Sequence, residues 1–354
     1  MKESLEVWSK AWIAKALLIN LVSRLPFDEQ IHFLGQKLLG KHRLDAPDLL
    51  RRAVELFGLL RMAGGSVSNA AVLEIGTGWF PFVPLMSHLA GARRVLTVDV
   101  HRWLSLRNTQ KAVAALACFA DELAQKTGAD PAAVGERYEL MAALSEKATS
   151  LRGLLEGLGI SYRCPCDITK SDLPAGSVDV VFTSNVLEHV PPDSLLAIHR
   201  ETARLLWPGG FAVHRFNPGD HFEAFTGSSI NFLKYSERQW RLLGGQGHSY
   251  HNRMRSREHA ELIRQAPLAV AFWADSIDEA AVKALAAKEL TVDERFRGIP
   301  DEYLCARYSW LVAANMDPAD SITSPRSVEW IDEVLNECDQ GHFRRPAVRE
   351  ARRT

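Results

Sequence analysis

The stretch Val72-Leu73-Glu74-Ile75-Gly76-Thr77-Gly78-Trp79-Phe80-Pro81, followed by Val95-Leu96-Thr97-Val98-Asp99-Val100, decides the fold. An apolar run enters a pair of glycines, a helix-compatible segment follows, and a second apolar run ends on a carboxylate. That is the sequence form of a β-α-β unit whose first turn receives a nucleotide-like ligand. Gly76 and Gly78 let the backbone bend sharply and lay bare N–H groups against a ligand. Asp99 closes its strand 21 residues after Gly78, where such sheets place an acid for ribose hydroxyls. The dinucleotide pattern G-x-G-x-x-G is incomplete, because its sixth position is Pro81. Glu74 beside the turn would repel a diphosphate, whereas it suits a cation or an amino-acid ammonium group. Both features weigh against a nicotinamide dehydrogenase.

Further apolar runs at Tyr162–Cys166, Val178–Thr183, Gly210–Phe216, Leu268–Trp273 and Ser309–Ala314 alternate with helical segments, which predicts a mostly parallel sheet. Residues 1–65 read as a helical region, with helices over Leu5–Leu25, Asp28–Leu39 and Pro47–Met62 and a stop at Pro26. The sheet domain is expected over 66–317. The alanine-rich helices at about 109–158 are inserted in it, and 318–354 form a tail. The run 217–255 is rich in Gly, His, Asn, Phe and Tyr without long periodicity, and it leaves the carboxyl end of a strand. Such a segment reads as a lid over an acceptor.

At 354 residues, 47% hydrophobic and 24% charged, the chain has ample material for a large α/β core. A net charge of −1 provides no global attraction to nucleic acid. The five cysteines include no C-x-x-C pair, and the N-terminus has no signal-peptide layout, so a reducing cytoplasmic setting is expected. The tail carries Arg344, Arg345, Arg349, Arg352 and Arg353, which read as a solvated end. Ala11–Val22 is too short and interrupted to span a membrane. With Trp8, Trp12, Lys10 and Lys15 it reads either as a helix packed on the domain or as a peripheral membrane contact.

Read in order, four motifs resemble the class I S-adenosylmethionine-dependent methyltransferases, over about Val72 to Met316. The acid-x-Gly-x-Gly turn is matched by Glu74, Gly76 and Gly78, and the strand-two ribose acid by Asp99. The acid and hydrophobe that contact adenine are matched by Asp167 and Ile168. "NVLEHV" from Asn185 and "LLWPGG" from Leu205 look like the post-strand motifs. Phe80 stands where many members carry a third glycine, a departure that bears on the shape of the turn. The segments "GTGWFPFVPL", "VDVHRWL", "RFNPGDHF" and "INFLKYSERQW" followed by "YHNRMR" are similar to a bacterial subgroup associated with polysaccharide or other small-molecule biosynthesis.

The resemblance implies a doubly wound, Rossmann-like sheet of seven strands with an antiparallel last strand. It implies S-adenosylmethionine as cofactor, held by Glu74, Gly76, Gly78, Asp99, Asp167, Ile168 and Asn185. The expected acceptor is a small molecule, a hydroxyl of a sugar or related metabolite. A membrane-associated lipid or quinone methyltransferase and a non-catalytic cofactor-binding scaffold are the alternatives.

A hydroxyl acceptor needs a base, and imidazole titrates near neutrality. The candidates are His189, His214, His221, His248 and His251, with His221 and His251 as catalytic choices. Asp220 is expected to orient the His221 ring or bind the acceptor, or else to form an Asx turn. Tyr250, Asn252, Arg253 and Arg255 suit a glycan or an anionic acceptor. The spacing assigns no metal ligands; a metal-assisted route would require Asp220, His221 and another ligand to converge.

Overall fold

The computed structural model describes residues 2–22, 31, 35, 43–244 and 250–317. The expected helix at Asp28–Leu39, its break at Pro26, His248 and the arginine-rich tail lie outside these residues. Helices α1 (Lys2–Val22) and α2 (Ala46–Met62) precede the sheet. Asp45 caps α2 by accepting from the Asp48 N–H, and Pro47 occupies its first turn, where no N–H is needed.

Strand β1 (Ala71–Ile75) leads through the glycine turn into α3 (Phe82–Leu89) and then β2 (Arg94–Val98). Between β2 and β3 (Ile160–Arg163) stand α4 (Leu106–Ala115), α5 (Ala120–Thr127), α6 (Pro131–Lys147) and α7 (Leu151–Gly157). Ser105, Asp130 and Ser150 cap α4, α6 and α7. The expected strand at Tyr162–Cys166 starts and stops earlier, because Pro165 has no N–H for the ladder to β2.

Strand β4 (Val178–Ser184), α8 (Pro192–Leu205) and β5 (Leu206–Phe216) come next. The following segment contains α9 (Glu223–Thr226), α10 (Glu237–Leu243) and α11 (Ser256–Gln265). The chain then forms β6 (Ala269–Ile277), α12 (Glu279–Ala286), α13 (Asp301–Leu304) and β7 (Ala306–Ala314). The sheet has the order β3-β2-β1-β4-β5-β7-β6. It is parallel from β3 to β5, and β7 runs antiparallel to both of its neighbours. This is the doubly wound α/β architecture expected from the sequence.

Alternation along each strand sends side chains to two cores. Val72, Val95, Val180 and Phe182 pack with α2 and α3 on one face, while Leu73, Leu96, Val181 and Ala212 pack with α8 and α11 on the other. A third cluster joins α1 to the segment after β5. Trp12 is 1% exposed, lies 5.0 Å from the Phe222 ring and meets Tyr235 edge-on. Packing on the domain therefore accounts for one side of α1, while Leu17, Leu18 and Leu21 on its other side are exposed.

Candidate active site

The β1–β2 register fixes the first half of the site. Glu74 stands opposite Thr97, so both side chains leave the same face of the sheet. The Thr97 hydroxyl donates to Glu74 Oε2 at 2.6 Å and also touches the Thr77 hydroxyl in the turn. Burial raises the Glu74 carboxyl to about 8; the Thr97 hydrogen bond opposes that rise and the nearby Asp99 carboxylate adds to it. At that value the carboxyl is largely protonated near neutral pH, and a cation placed beside it would favour its ionised form.

Gly76 (φ +91°) and Gly78 (φ +65°) adopt the left-handed backbone that glycine favours. The Gly78 N–H donates to Asp99 Oδ2 at 2.8 Å, and the His101 N–H donates to Oδ1 at 2.9 Å. Burial pushes the Asp99 carboxyl up and these backbone donors oppose it. A carboxylate has about four acceptor positions, so Asp99 keeps capacity for ribose hydroxyls. Next to Gly78, Trp79 packs against Trp103 with ring centroids 4.9 Å apart and the planes tilted by 37°, an aromatic pair that sequence reading passed over.

Asp167 caps the 3₁₀ turn Ile168–Lys170, accepting from the Thr169 N–H at 3.1 Å and from the Thr169 hydroxyl at 2.7 Å. The Thr169 hydroxyl is the main cause that holds its carboxyl below the usual range. Ile168 is buried in the core behind the turn.

Asn185 has φ +54°, donates its N–H to the Arg215 carbonyl at 2.8 Å and accepts from the Arg215 guanidinium. Arg215 is fully buried and donates through Nε to Glu55 Oε2 at 2.7 Å. Trp310, the cross-strand partner of Arg215, donates to the same oxygen at 3.0 Å. Glu55 belongs to α2, so this network ties that helix to the carboxyl end of β5. Sequence reading missed it. The available signal was one acid inside the apolar run Ala53–Leu60 and one arginine inside Phe211–Phe216.

The loops after β4 and β5 bring Glu188, His189 and His221 together, with one donor atom from each within 4.8 Å of the others. Glu188 is fully buried; its Oε1 accepts from the Asn217 N–H at 3.1 Å, and Oε2 has no partner among the described residues. Burial raises its carboxyl, and the hydrogen bond from the Asn217 N–H opposes that rise. His189 Nδ1 lies 3.0 Å from the Tyr250 carbonyl, which assigns the N–H there and leaves Nε2 as an acceptor. His221 is exposed, with its ring 5.0 Å from His189 and 4.7 Å from His251.

His251 is 3% exposed and both its ring nitrogens are engaged. Nδ1 accepts from the Arg253 N–H at 3.1 Å, and Nε2 lies 3.3 Å from the Asn217 carbonyl. Burial, then the neighbouring His221, holds it neutral, well below the ordinary histidine range. In this arrangement it is a wall of the site rather than an open base. Asp220 forms the Asx turn, Oδ1 accepting from the Phe222 N–H at 2.8 Å, and burial pushes its carboxyl to about 7. The His cluster is completed by Glu188 and not by Asp220. His214 lies in β5, fully buried, 2.9 Å from the Thr183 hydroxyl.

Asn252, Arg253 and Arg255, expected as acceptor contacts, are buried and used internally. Asn252 donates to the carbonyls of Leu187 and Val190 at 2.7 and 2.9 Å. Arg253 serves Phe232, Tyr235 and Glu237, and Arg255 serves Pro218 and Leu304. A chain leaving a strand without helical periodicity must satisfy its carbonyls somewhere, and these side chains do so.

A family model described as a methyltransferase domain matches residues 114–214, which include β3, β4, "NVLEHV" and "LLWPGG" but not the glycine turn. A ubiquinone biosynthesis O-methyltransferase from Bordetella avium is 33% identical over 132 residues, which are 36% of this chain and 50% of that protein. The chain thus spans about half the length of the curated relative it matches. A crystal structure of an S-adenosylmethionine-dependent methyltransferase from Mesorhizobium loti is 15% identical, with a TM-score of 0.38, covering 72% of this chain and 95% of that one. Geranyl diphosphate C-methyltransferase from Streptomyces coelicolor, solved with Mg2+, geranyl diphosphate and S-adenosyl-L-homocysteine, is 16% identical at a TM-score of 0.39, covering 73% and 76%. A methyltransferase domain is thus matched within the chain, and the sheet order and the acid–glycine turn agree with the class I S-adenosylmethionine-dependent methyltransferases that the sequence resembles.

Proposed function

We propose that the protein transfers the methyl group of S-adenosylmethionine to a hydroxyl of a small-molecule acceptor. The observation that carries this reading is the contact between the glycine turn and Val186: a Cβ on Gly76 would overlap Val186 Cγ2. That contact seats the loop carrying Glu188 and His189 on the turn, which supports an acceptor position near these residues and His221. Gly76 and Gly78 flank the methionine part, Glu74 faces its ammonium group, Asp99 holds the ribose, and Asp167, Ile168 and Asn185 serve the adenosine side.

In the reaction the acceptor oxygen forms a bond to the methyl carbon while the carbon–sulfur bond breaks. The electron pair stays on sulfur, which leaves as a neutral thioether and needs no acid. The hydroxyl proton departs on the side of the His189–His221 pair. Enclosure between the two loops aligns the three reacting atoms, which is the larger part of what an enzyme adds to a displacement of this kind.

A sugar or other polyhydroxylated metabolite is the acceptor class we favour, supported by the polar rim of His189, His221 and the Tyr250 carbonyl. A second reading, an apolar acceptor met at a membrane surface, is favoured by the exposed Leu17, Leu18, Leu21 and Leu242 and by the quinone-pathway name of the Bordetella avium relative. No described helix is long and apolar enough to cross a membrane. Methyl-labelled S-adenosylmethionine incubated with nucleotide sugars, glycosides and long-chain phenols separates the two. Label on a water-soluble sugar supports the first. Label only on lipid-like phenols, with liposome binding lost in Leu18→Glu and Leu21→Glu, replaces it with the second. Deleting the helix is a poorer test, since Trp12 is part of the core.

A further inference from the structure

We infer that Glu188, His189 and His221 form a binding site for a divalent transition-metal cation, whose open position takes the acceptor's hydroxyl oxygen. The donor atoms lie within 4.8 Å of one another and come from two loops at the carboxyl ends of adjacent parallel strands. Around an ion with bonds of about 2.1 Å, tetrahedral ligands sit roughly 3.4 Å apart, so a closure of about an ångström completes the shell.

Two independent observations point to a cation. The first is Glu188, a fully buried carboxylate whose Oε2 has no hydrogen-bond partner among the described residues. An orphaned buried acceptor of that kind is costly unless something positive occupies it. The second is His189, whose Nδ1 is committed to the Tyr250 carbonyl at 3.0 Å. A histidine ligand held by a backbone carbonyl on its far nitrogen is the usual arrangement at metal centres, and it leaves Nε2 to coordinate. Glu188 is oriented in the same way, through Oε1 and the Asn217 N–H.

The donor set selects the ion. Two imidazoles and one carboxylate suit zinc, cobalt or iron(II) and disfavour magnesium and calcium, which prefer oxygen. His251 does not join, because the Arg253 N–H occupies Nδ1 and the Asn217 carbonyl engages Nε2. Three protein ligands leave a position open for the acceptor. The acceptor hydroxyl bound there would lose its proton to bulk water, a step a bound cation favours strongly. The resulting oxyanion would then take the methyl group as the carbon–sulfur bond breaks. The role of the acceptor oxygen rests on the methyl-transfer reading; the cation site itself does not.

The test uses the full-length, untagged protein, dialysed against a chelator and titrated with Co2+ alone while its visible absorption is recorded. One equivalent is expected to bind with ligand-field bands of low-coordinate cobalt, displaced by Zn2+. His189→Ala and His221→Ala, both at exposed positions, should each weaken binding by about 10- to 100-fold or more. Glu188→Gln should do the same, and S-adenosylmethionine binding by calorimetry verifies the fold of each variant. Absence of stoichiometric cobalt binding, or His221→Ala binding cobalt as wild type does, overturns the proposal. Cobalt binding without S-adenosylmethionine binding by the wild type would leave this site standing and remove the proposed methyl transfer. The reverse result would do the opposite.

Discussion

Gly76 lies so close to Val186 that no side chain fits between them: a Cβ at position 76 would overlap Val186 Cγ2, and the backbone φ there is +91°. The turn after β1 and the loop after β4 are thus seated on one another. Gly76→Ala combines backbone strain with overpacking and should cost roughly 2–4 kcal/mol by chemical denaturation. Gly78 has open space around it and φ +65°, so Gly78→Ala should cost only about 1–2 kcal/mol. Equal costs would show that the contact with Val186 does not shape the turn.

Glu74 gives the cofactor-free protein a pH signature. Its folded carboxyl sits at about 8, above the unfolded value. The stability it contributes is full below about 4.5 and falls as pH rises toward 8, by up to about 1.4 kcal/mol per unit. Glu74→Gln cannot titrate, so its stability relative to wild type should climb between pH 5 and 8. Thermal melts of both proteins across that range measure the difference, and a constant offset would contradict the assignment.

Arg215 and Glu55 form a buried ion pair at 2.7 Å, with side-chain exposures of 0% and 2%. Glu55→Ala leaves the guanidinium uncompensated and should cost about 3–5 kcal/mol. The double variant Glu55→Met with Arg215→Met removes both charges and should be less destabilised than Glu55→Ala alone. Urea midpoints rank them, and the opposite order would refute the pairing.

His199 is fully buried, both its ring nitrogens lack partners among the described residues, and burial lowers it to about 4. Its contribution to stability is present above the unfolded value near 6.5 and is lost as pH falls toward 4. His199→Leu should therefore flatten the acid limb by up to about 1.4 kcal/mol per pH unit in that window. An unchanged limb would mean that the imidazole is charged or solvated in the fold.

Much of the sheet was legible in the sequence because parallel strands buried on both faces are written as short apolar runs. The carboxylates and glycines around β1 and β2 were legible for a related reason: a turn with positive φ and a strand-ending acid are local features. The His cluster was less so. Its members come from loops about 30 residues apart, and only strand adjacency joins Glu188 and His189 to His221. Proximity along the chain grouped Asp220 with His221, whereas the chain turns at 220–222 and Asp220 Oδ1 accepts from the Phe222 N–H. Arg253 and Arg255 looked like ligand-binding residues because their burial rests on distant partners, Phe232 and Tyr235 for one, Pro218 and Leu304 for the other.

Binding of S-adenosylmethionine by the turn at Gly76–Gly78, together with Asp99, is tested most directly by calorimetric titration of the full chain. One equivalent is expected to bind with micromolar or tighter affinity. Asp99→Ala loses charged hydrogen bonds to the ligand and should weaken binding about tenfold or more. No binding by the wild type, or binding that Asp99→Ala leaves unchanged, would contradict the assignment.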